Sequence, residues 1–379
     1  MKTKITFFAA VIAIAMLETS CRKQLVCDEN APLATVKVYA TGLNNPRGLK
    51  FGPDGNLYVA EGGVGGTVST VGQCMQVPPP VGPYKGSTTG GRVSWIGSNG
   101  QRHTVSDQFP STTNALGEIA GVGDVGFIGN TLYALITGAG CSHGVPSIPN
   151  SLVRINQGGN WTFVSNLSRY LQNNPVKNPE ADDFEPDGDF YSMINVNGVF
   201  YAIEANHGEL IRLSTNGNVN RVIDISASQG HIVPTVLAYH DGNFYVGNLN
   251  PFPIKDGGSS IYKISADGRQ ISVWATGFST ILGIAFDSQD RLYVLQNTSG
   301  HPFPTPASGS IIRINTSGTR ETITSSLSLP TGLTIGPDDN LYVSNIGFGE
   351  FSVGGGEILQ IALRTCSCCE IPGNSKNPK

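Results

Sequence analysis

The chain has 379 residues, with 24 lysines and arginines against 28 aspartates and glutamates, and a net charge of −4. No surplus of basic residues is available to neutralise a phosphate backbone, so nucleic acid is not expected as a partner. Hydrophobic residues make up 39% of the chain, enough for a sizeable core, while 48 glycines and 23 prolines make it rich in turns without reaching the composition of disorder.

The N-terminal segment has the pattern of an export signal. Lys2 and Lys4 precede an apolar run over residues 5–17, which is too short to span a bilayer but matches the hydrophobic region of a secretory signal peptide. Small residues then precede Cys21, as in a bacterial lipobox, where the cysteine is lipidated and becomes the new N-terminus. Glu18 stands where such boxes usually carry leucine, so cleavage without lipidation stays open. We expect a bacterial lipoprotein, lipidated at Cys21 and anchored to a membrane outside the cytoplasm, in the periplasm or at the cell surface.

Six cysteines follow Cys21, and in an exported chain disulfides are expected for most of them. They are Cys27, Cys74, Cys141, Cys366, Cys368 and Cys369. The last three are dense enough for a metal-binding tract, but no histidine lies within twenty residues of them and their spacing is not the paired C-x2-C form of a zinc site. The pattern therefore favours disulfides over a metal.

An internal repeat of roughly 55 residues organises most of the chain. Each of six copies holds a short apolar strand, a strand of the form Leu/Phe-Tyr-Val, a variable loop, a strand ending in Arg/Lys-Ile and a fourth strand. The first and fifth copies read RGLKFGPDGNLYVAE (47–61) and ILGIAFDSQDRLYVLQ (281–296). Asp-Gly, Asn-Gly and Ser-Gly pairs mark the hairpin turns. Four antiparallel strands per copy, without helical periodicity, predict an all-β fold, a six-bladed β-propeller.

The ends of the repeat region predict how the ring closes. The sixth copy stops at its third strand, GEILQIAL (356–363), whereas ATVKVYATG (34–42) precedes the first copy and matches the fourth-strand sequence VWATG (273–277). We therefore expect the N-terminal strand to pair with the last blade. The chain is then divided into a lipoprotein-type signal peptide (1–20), an anchor or linker (21–33), the propeller (34–363) and a cysteine-rich C-terminal tail (364–379).

Ring closure also predicts disulfides. It places the segment before residue 34 beside the segment after residue 363, so Cys27 is expected to pair with one of Cys366, Cys368 or Cys369. Cys74 and Cys141 lie in the loops of blades one and two and are expected to pair with each other. The two cysteines left in the tail form either a reactive thiol pair or a vicinal disulfide.

Four segments together resemble one protein family. They are ATGLNNPRGLKFGPDGNLYVAEGGVGG (40–66), WTFVSNLSRYLQNNP (161–175), VPTVLAYHDGNFYVGNLNPFP (233–253) and PTGLTIGPDDNLYVSNIGFG (330–349). They resemble the ScyD/ScyE family, which is similar to NHL-repeat propellers, and the resemblance covers nearly the whole chain after the signal segment. It implies an exported propeller and no particular reaction, because the family supplies no established catalytic residues to carry over. The acidic stretch at 180–189 and the cysteine-rich tail depart from the family pattern.

Long loops are predicted on one face of the propeller, the face that also carries the links between blades. They follow the second strands and span residues 62–90, 137–150, 249–258, 297–308 and 346–355. Loops on the opposite face are short turns. Because a rigid scaffold usually carries its function on long loops, we expect the ligand site at the mouth of the central channel on this face.

Polar residues recur where the strands reach this face. Three residues after each repeat tyrosine, the chain places five polar residues and one isoleucine: Glu61, Ile136, Glu204, Asn248, Gln296 and Asn345. Near the start of the innermost strands it places a second polar group: Arg47, Asp124, Asp189, Thr235 and Thr331. Oxygens that converge on the axis, above all from Glu61, Glu204, Asn248 and Asn345, could hold a divalent cation such as Ca²⁺, which polarises a substrate carbonyl or a water. The favoured interpretation is that the strand-end residues cap the strand turns through backbone hydrogen bonds.

The remaining motifs are weaker indications of a functional site. The glycine run at 62–66 lacks the Gly-Lys-Ser/Thr ending of a phosphate loop and is interpreted as a flexible turn. Residues 183–188 begin like a calcium loop, but the twelfth position is Ile194 instead of glutamate, so a solvated acidic loop is predicted. The six histidines are dispersed and no nucleophile signature accompanies them. The proline-rich segment at 77–84 is expected to be a stiff loop.

The sequence thus favours a non-catalytic function: a membrane-anchored propeller that binds a small ligand or an envelope protein through its long-loop face. The alternative is a metal-dependent lactonase or related hydrolase of the gluconolactonase-like propeller kind, with its site at the channel mouth. That alternative rests on analogy of fold. A quinone-dependent sugar dehydrogenase is a third interpretation, for which Arg47 with His207 or His231 supplies few of the expected groups.

Overall fold

The computed structural model describes residues 23–26, 32–179, 182–300, 302–364 and 367–370. The chain forms two compact units, one of residues 1–32 and 364–379 and the other of residues 33–363. In the first unit, the described residues form two short antiparallel strands, Lys23–Val26 and Ser367–Glu370. Cys21, Cys27 and Cys366 lie outside the described residues, as does the signal segment, so the lipid anchor and the Cys27 disulfide stay predictions.

The second unit consists of six antiparallel sheets, which are numbered here as blades in chain order. Blade one has the strands Pro46–Phe51, Leu57–Glu61, Lys85–Ile96, Arg102–Thr113 and Ile119–Ala120. Blade two has the strands Val122–Ile128, Thr131–Ile136, Ser151–Ile155 and Trp161–Asn166. Blade three has the strands Phe190–Val196, Val199–Glu204, Glu209–Leu213 and Val219–Asp224.

The remaining three blades each have four strands. Blade four has the strands Pro234–His240, Asn243–Asn248, Ser259–Ser265 and Ile271–Phe278. Blade five has the strands Ile281–Phe286, Leu292–Gln296, Gly309–Ile314 and Arg320–Leu327. Blade six has the strands Gly332–Ile335, Leu341–Asn345 and Val353–Leu363, with the N-terminal strand Ala34–Asn44 at its outer edge.

The blades form a closed ring. The first strand of every blade lies against the first strand of the next, and that of blade six lies against that of blade one. The N-terminal strand pairs antiparallel with the third strand of blade six, in a register that sets Ala34 opposite Leu363 and Thr41 opposite Glu357. The predicted six-bladed propeller, with the ring closed by the N-terminal strand, is therefore confirmed.

An aromatic pair repeats at the contacts between blades. In five of the six contacts, the repeat tyrosine packs against a phenylalanine of the following blade, with ring centroids 4.7 to 5.1 Å apart. The pairs are Tyr58–Phe127, Tyr133–Phe200, Tyr201–Phe244, Tyr245–Phe286 and Tyr342–Phe51. Tilted and edge-to-face pairs of this kind contribute about 0.5 to 1.5 kcal/mol each beyond the area they bury. The tyrosine of the repeat therefore joins blades together as well as marking each second strand.

Short helices occur in the links and loops. The described α-helices are Leu167–Asn173 and Ser226–Gln229, and the described 3-10 helices are Cys141–His143 and Glu350–Ser352. The first helix begins after Asn166, whose side chain accepts a hydrogen bond of 2.8 Å from the backbone N–H of Arg169, as an N-cap does. Among the described residues, no helix is long and apolar enough to cross a membrane.

The long loop of blade one is packed tightly and tied to blade two. A Cβ atom at Gly63, which has a φ of +99°, would lie 2.2 Å from the backbone oxygen of Gly90, so only glycine allows this close approach. The disulfide predicted between Cys74 and Cys141 is confirmed, with Cα atoms 6.3 Å apart. It joins the long loops of the first two blades on the face that carries the pocket described next.

Candidate functional site

A pocket opens where the innermost strands of the blades begin and the long loops surround the channel mouth. Its volume is about 770 Å³, including space that is open to solvent. Charged side chains from blade one and from the segment that leads into blade three line one part of it, and three phenylalanines from the loops of blades four to six line another. The pocket therefore has two chemically different walls.

Arg47 is the central cation of the polar wall. Its side chain is buried, its Nη2 atom donates to the backbone oxygen of Ile119 (2.7 Å) and to Glu118 Oε1 (3.0 Å), and its Nη1 atom donates to the hydroxyl of Tyr191 (3.3 Å). Burial by itself lowers the pKa of Arg47, but Tyr191 and Glu118 outweigh burial and raise it. Arg47 is therefore permanently charged and already engaged by three partners.

Asp189 lines the same pocket as Arg47, and its pKa is close to neutrality. Burial raises the pKa of its carboxyl group to about 7, and the nearby charges of Glu185 and Glu118 act in the same direction. The hydroxyl of Thr137 donates to Oδ1 at 2.8 Å and partly opposes the shift. A carboxyl group with such a pKa can accept or donate a proton at neutral pH, or pair with a cation in the pocket.

Glu185 is held by two buried side chains. The hydroxyl of Tyr84 donates to Oε1 at 2.9 Å, and Nε2 of His143 lies 3.1 Å from Oε2. Burial lowers the pKa of His143, but the hydrogen bond and charge of Glu185 outweigh burial and raise it. Burial and the charge of Glu185 raise the pKa of Tyr84 well above its ordinary value. The raised pKa favours the charged form of His143 beside Glu185, and Tyr84 stays a neutral donor.

A serine next to this pair does not complete a hydrolytic triad. Ser142 Oγ lies 3.3 Å from Nδ1 of His143, but it donates its hydrogen bond to Asp187 Oδ2 at 2.7 Å. The backbone N–H of Ser142 donates to the same carboxylate oxygen at 2.8 Å, and Ser142 is 1% exposed. The serine hydroxyl is therefore buried and directed at a carboxylate, which is a structural arrangement.

Three phenylalanines form the aromatic wall. Phe252, Phe303 and Phe348 come from the loops that follow the second strands of blades four, five and six. The ring centroids of Phe252 and Phe303 are 5.6 Å apart, and those of Phe303 and Phe348 are 6.2 Å apart. Both pairs are close to perpendicular, so the three rings present a mixture of faces and edges rather than one flat surface.

The strand-end residues do not converge on the pocket. Glu61, Glu204, Gln296 and Asn345 each accept a backbone N–H from the link that leads into their own blade: from Asn44, Asp189, Ser279 and Ser328. Asn248 instead donates to the backbone oxygen of Ile232 in the same kind of link. Glu61 also forms an ion pair with Arg102, with Nη2 and Oε2 2.7 Å apart. These are the capping bonds that the sequence favours.

The side chains suggested as cation ligands thus already form hydrogen bonds with other groups of the protein. Glu61 and Glu204 are fully buried, and Asn248 and Asn345 are almost so. Within the described ranges, no three His, Cys, Asp or Glu side chains are grouped so that they could hold a metal ion. The side chains at this repeat position are therefore not arranged as Ca²⁺ ligands.

The inner-strand residues divide into two groups. Arg47, Asp189 and Thr235 line the pocket. Asp124 and Thr331 hold neighbouring blades together, because Asp124 Oδ2 accepts the backbone N–H of Met193 at 2.8 Å and the hydroxyl of Thr331 donates to the backbone oxygen of Pro46. Burial raises the pKa of Asp124, with Lys50 opposing. These two residues therefore stabilise contacts between blades and do not line the channel-mouth pocket.

The prediction of a solvated acidic loop at residues 183–188 is wrong. Glu185 and Asp187 are each only 5% exposed, because they hydrogen-bond to Tyr84, His143 and Ser142. Side chains of this segment contribute to two pockets: Asp183 and Glu185 line the channel-mouth pocket, while Phe184, Pro186 and Asp187 line a second pocket next to the Cys74–Cys141 disulfide. One thin segment therefore separates the two pockets.

The fold and the pocket together define a six-bladed β-propeller with a partly charged, partly aromatic pocket at the mouth of its channel. No protein-family profile and no curated protein matches the chain. Its structure is similar to that of a protein of unknown function from Bacteroides thetaiotaomicron, with a TM-score of 0.55, 12% identity, and coverage of 87% of this chain and 76% of the other.

Two further solved structures share the fold. A putative glucose dehydrogenase from Thermus thermophilus has a TM-score of 0.51 and 16% identity, with coverage of 86% of this chain and 99% of the other. A gluconolactonase from Xanthomonas campestris has a TM-score of 0.50 and 11% identity, with coverage of 91% and 96%. The chain therefore has structural neighbours in the NHL- and gluconolactonase-like propeller group, and at these identities the likeness concerns the fold.

Proposed function

We propose that the protein binds a small organic molecule in the pocket at the channel mouth. The observation that carries this proposal is the joining of two unlike walls in one pocket: three phenylalanines on one side and Arg47, Asp189 and the neighbouring carboxylates on the other. Apolar walls with a few placed polar groups are the usual composition of a small-molecule site. The strand-end residues support a binding role over a metal-dependent one, because backbone groups already occupy them.

The binding proposal is tested with three probes that share a benzyl or phenyl ring and differ in charge: benzyltrimethylammonium, benzyl alcohol and benzoate. Saturation-transfer NMR and isothermal titration should detect at least one of them on the purified protein. Phe303→Ala should weaken that binding at least about threefold, since it removes part of the aromatic wall. Phe163→Ala is the matched control, because Phe163 is an exposed phenylalanine on the outer strand of blade two. Binding of no probe, or equal effects of both substitutions, would contradict the proposal.

A lactone or ester hydrolase is the second candidate, and Asp189 is the observation that favours it. A carboxyl group with a pKa of about 7 in a pocket that also holds a buried arginine can act as a general acid or base. Hydrolysis of D-glucono-1,5-lactone, followed by acid release at constant pH, should then fall at least about a hundredfold in Asp189→Asn. If the protein does not accelerate hydrolysis above the uncatalysed rate, the hydrolase proposal fails and the binding proposal remains.

We also propose that the chain is an exported lipoprotein of the ScyD/ScyE type. The apolar segment at 5–17, the small residues before Cys21 and the four family-like segments support this. Intact-mass measurement of protein extracted from membranes should find a diacyl or triacyl mass on a chain that begins at Cys21. A soluble species that begins at another residue would refute the anchor and leave the propeller unaffected.

A further inference from the structure

The charges of the pocket are only partly balanced. Of its four carboxylates, Glu118 pairs with Arg47 and Glu185 pairs with His143. Asp189 accepts a hydrogen bond from the hydroxyl of Thr137. Asp183 Oδ1 has two longer contacts of 3.5 Å each, an ion-pair contact with Nε2 of His231 and a hydrogen bond from Nδ2 of Asn206. In the part of the chain that the structure describes, no lysine or arginine forms an ion pair with Asp183 or Asp189. When Asp189 is ionised, the pocket therefore carries a surplus of negative charge.

Two buried polar atoms on residues that line the pocket have no hydrogen-bond partner. One is Nε2 of His231, whose side chain is 6% exposed and whose contact with Asp183 does not have hydrogen-bond geometry. The other is Oδ1 of Asn297, a residue that is 1% exposed and whose Nδ2 atom donates to the backbone oxygen of Pro330. Buried polar atoms are normally satisfied, so this pair indicates that the pocket is built for an occupant.

The aromatic wall adds a preference for positive charge. The face of a phenylalanine ring carries partial negative charge and attracts cations, most strongly where water is excluded. Phe252, Phe303 and Phe348 line the same pocket as Asp183 and Asp189. An apolar cation would satisfy both walls, because its substituents pack on the rings while its charge balances the carboxylates.

We propose that the ligand is an organic cation, an ammonium group with apolar or aromatic substituents, held between the three phenylalanines and the pair Asp183 and Asp189. This inference rests on the proposed function, since it names the ligand class of the same pocket. The two carboxylates would repel an anion, and Arg47 already forms hydrogen bonds with Glu118, Tyr191 and the backbone. A neutral ligand would not balance the negative charge that the pocket carries when Asp189 is ionised.

The same three probes test the charge preference. Benzyltrimethylammonium should bind about tenfold more tightly than benzyl alcohol, and benzoate should bind most weakly. Asp189→Asn and Asp183→Asn should each reduce the affinity for the ammonium probe about fivefold more than the affinity for benzyl alcohol. Asp107→Asn is the matched control, because it removes the same charge from an exposed position on the fourth strand of blade one. Phe303→Ala should weaken the binding of both probes.

The outcomes separate the two proposals. Equal affinity for benzyltrimethylammonium and benzyl alcohol would overturn the cation inference and leave the binding proposal standing. Tighter binding of benzoate would also overturn it, by showing that Arg47 dominates the pocket. A preference for the ammonium probe that survives in both carboxylate variants would refute the assigned residues. If none of the three probes binds, the proposed function itself fails.

Discussion

Replacing Asp189 with asparagine should stabilise the protein at high pH and leave it nearly unchanged at low pH. The folded-state pKa of Asp189 is raised from 3.8 to about 7 by burial and by the carboxylates of Glu185, Glu118 and Glu204. The folded state therefore holds this proton more tightly than the unfolded chain, and stability falls as the pH rises from about 4 to about 7. A difference of about 3 pKa units corresponds to roughly 4 kcal/mol at most, and the accessible side of the carboxyl reduces this to about 2 to 3 kcal/mol.

The assay is urea unfolding followed by tryptophan fluorescence at pH 4.5 and pH 8. The difference in unfolding free energy between Asp189→Asn and the parent should grow in favour of the variant by about 2 kcal/mol between the two pH values. Thr137 can still donate to the asparagine oxygen, so the local hydrogen bond is kept. Asp107→Asn is the control, because it removes the same charge from an exposed position outside the pocket. A flat difference for Asp189→Asn, or a variant that becomes less stable at pH 8, would refute the account of this carboxyl group.

Three further predictions concern the disulfide, a buried ion pair and ligand affinity. The double change Cys74→Ser with Cys141→Ser should lower the unfolding free energy by about 4 kcal/mol, since the disulfide closes a loop with a sequence separation of 67, and an unchanged denaturation midpoint would contradict this. Arg102→Ala should lower the unfolding free energy by about 3 to 5 kcal/mol, because it leaves the fully buried Glu61 without its ion-pair partner. In a Glu61→Gln background the same substitution should lower the unfolding free energy clearly less. Equal losses in the two backgrounds would show that Arg102 and Glu61 are not coupled. The affinity for benzyltrimethylammonium should rise about threefold to tenfold from pH 6 to pH 8 as Asp189 loses its proton, measured by isothermal titration, whereas a pH-independent affinity would exclude Asp189 as the titrating group.

The repeat made the fold predictable from the sequence. Hairpin turns, the Leu/Phe-Tyr-Val strands and the match between residues 34–42 and 273–277 each recur, so six blades and the N-terminal closure follow from internal comparison alone. The capping of strand ends was predictable for the same reason, because Glu61 and Asn345 occupy equivalent positions and bind equivalent backbone groups. Residues that recur at equivalent positions of the six copies therefore predict the scaffold.

The pocket was less predictable because it is built from residues that do not repeat. Arg47, Asp189 and Thr235 stand at repeat positions and were among the candidates, whereas Glu118 and Glu185 belong to links whose path the sequence pattern does not specify. Glu185 is buried through contacts with Tyr84 and His143, which lie 101 and 42 residues away in the chain. The Phe-Pro pairs at 252–253 and 303–304 were the one available signal for the aromatic wall, since the same dipeptide occurs in the long loops of consecutive blades.

The N-terminal strand at the edge of blade six constrains the order in which the protein can be completed. The strand Ala34–Asn44 is made early, but its partner Val353–Leu363 is made more than 300 residues later. At synthesis rates of about 5 to 20 residues per second, the early strand waits roughly 15 to 60 s before its partner exists. Five blades can form from local neighbours during that time, whereas the sixth requires both ends of the chain. Ring closure is therefore a late event that takes place only after almost the whole chain has emerged.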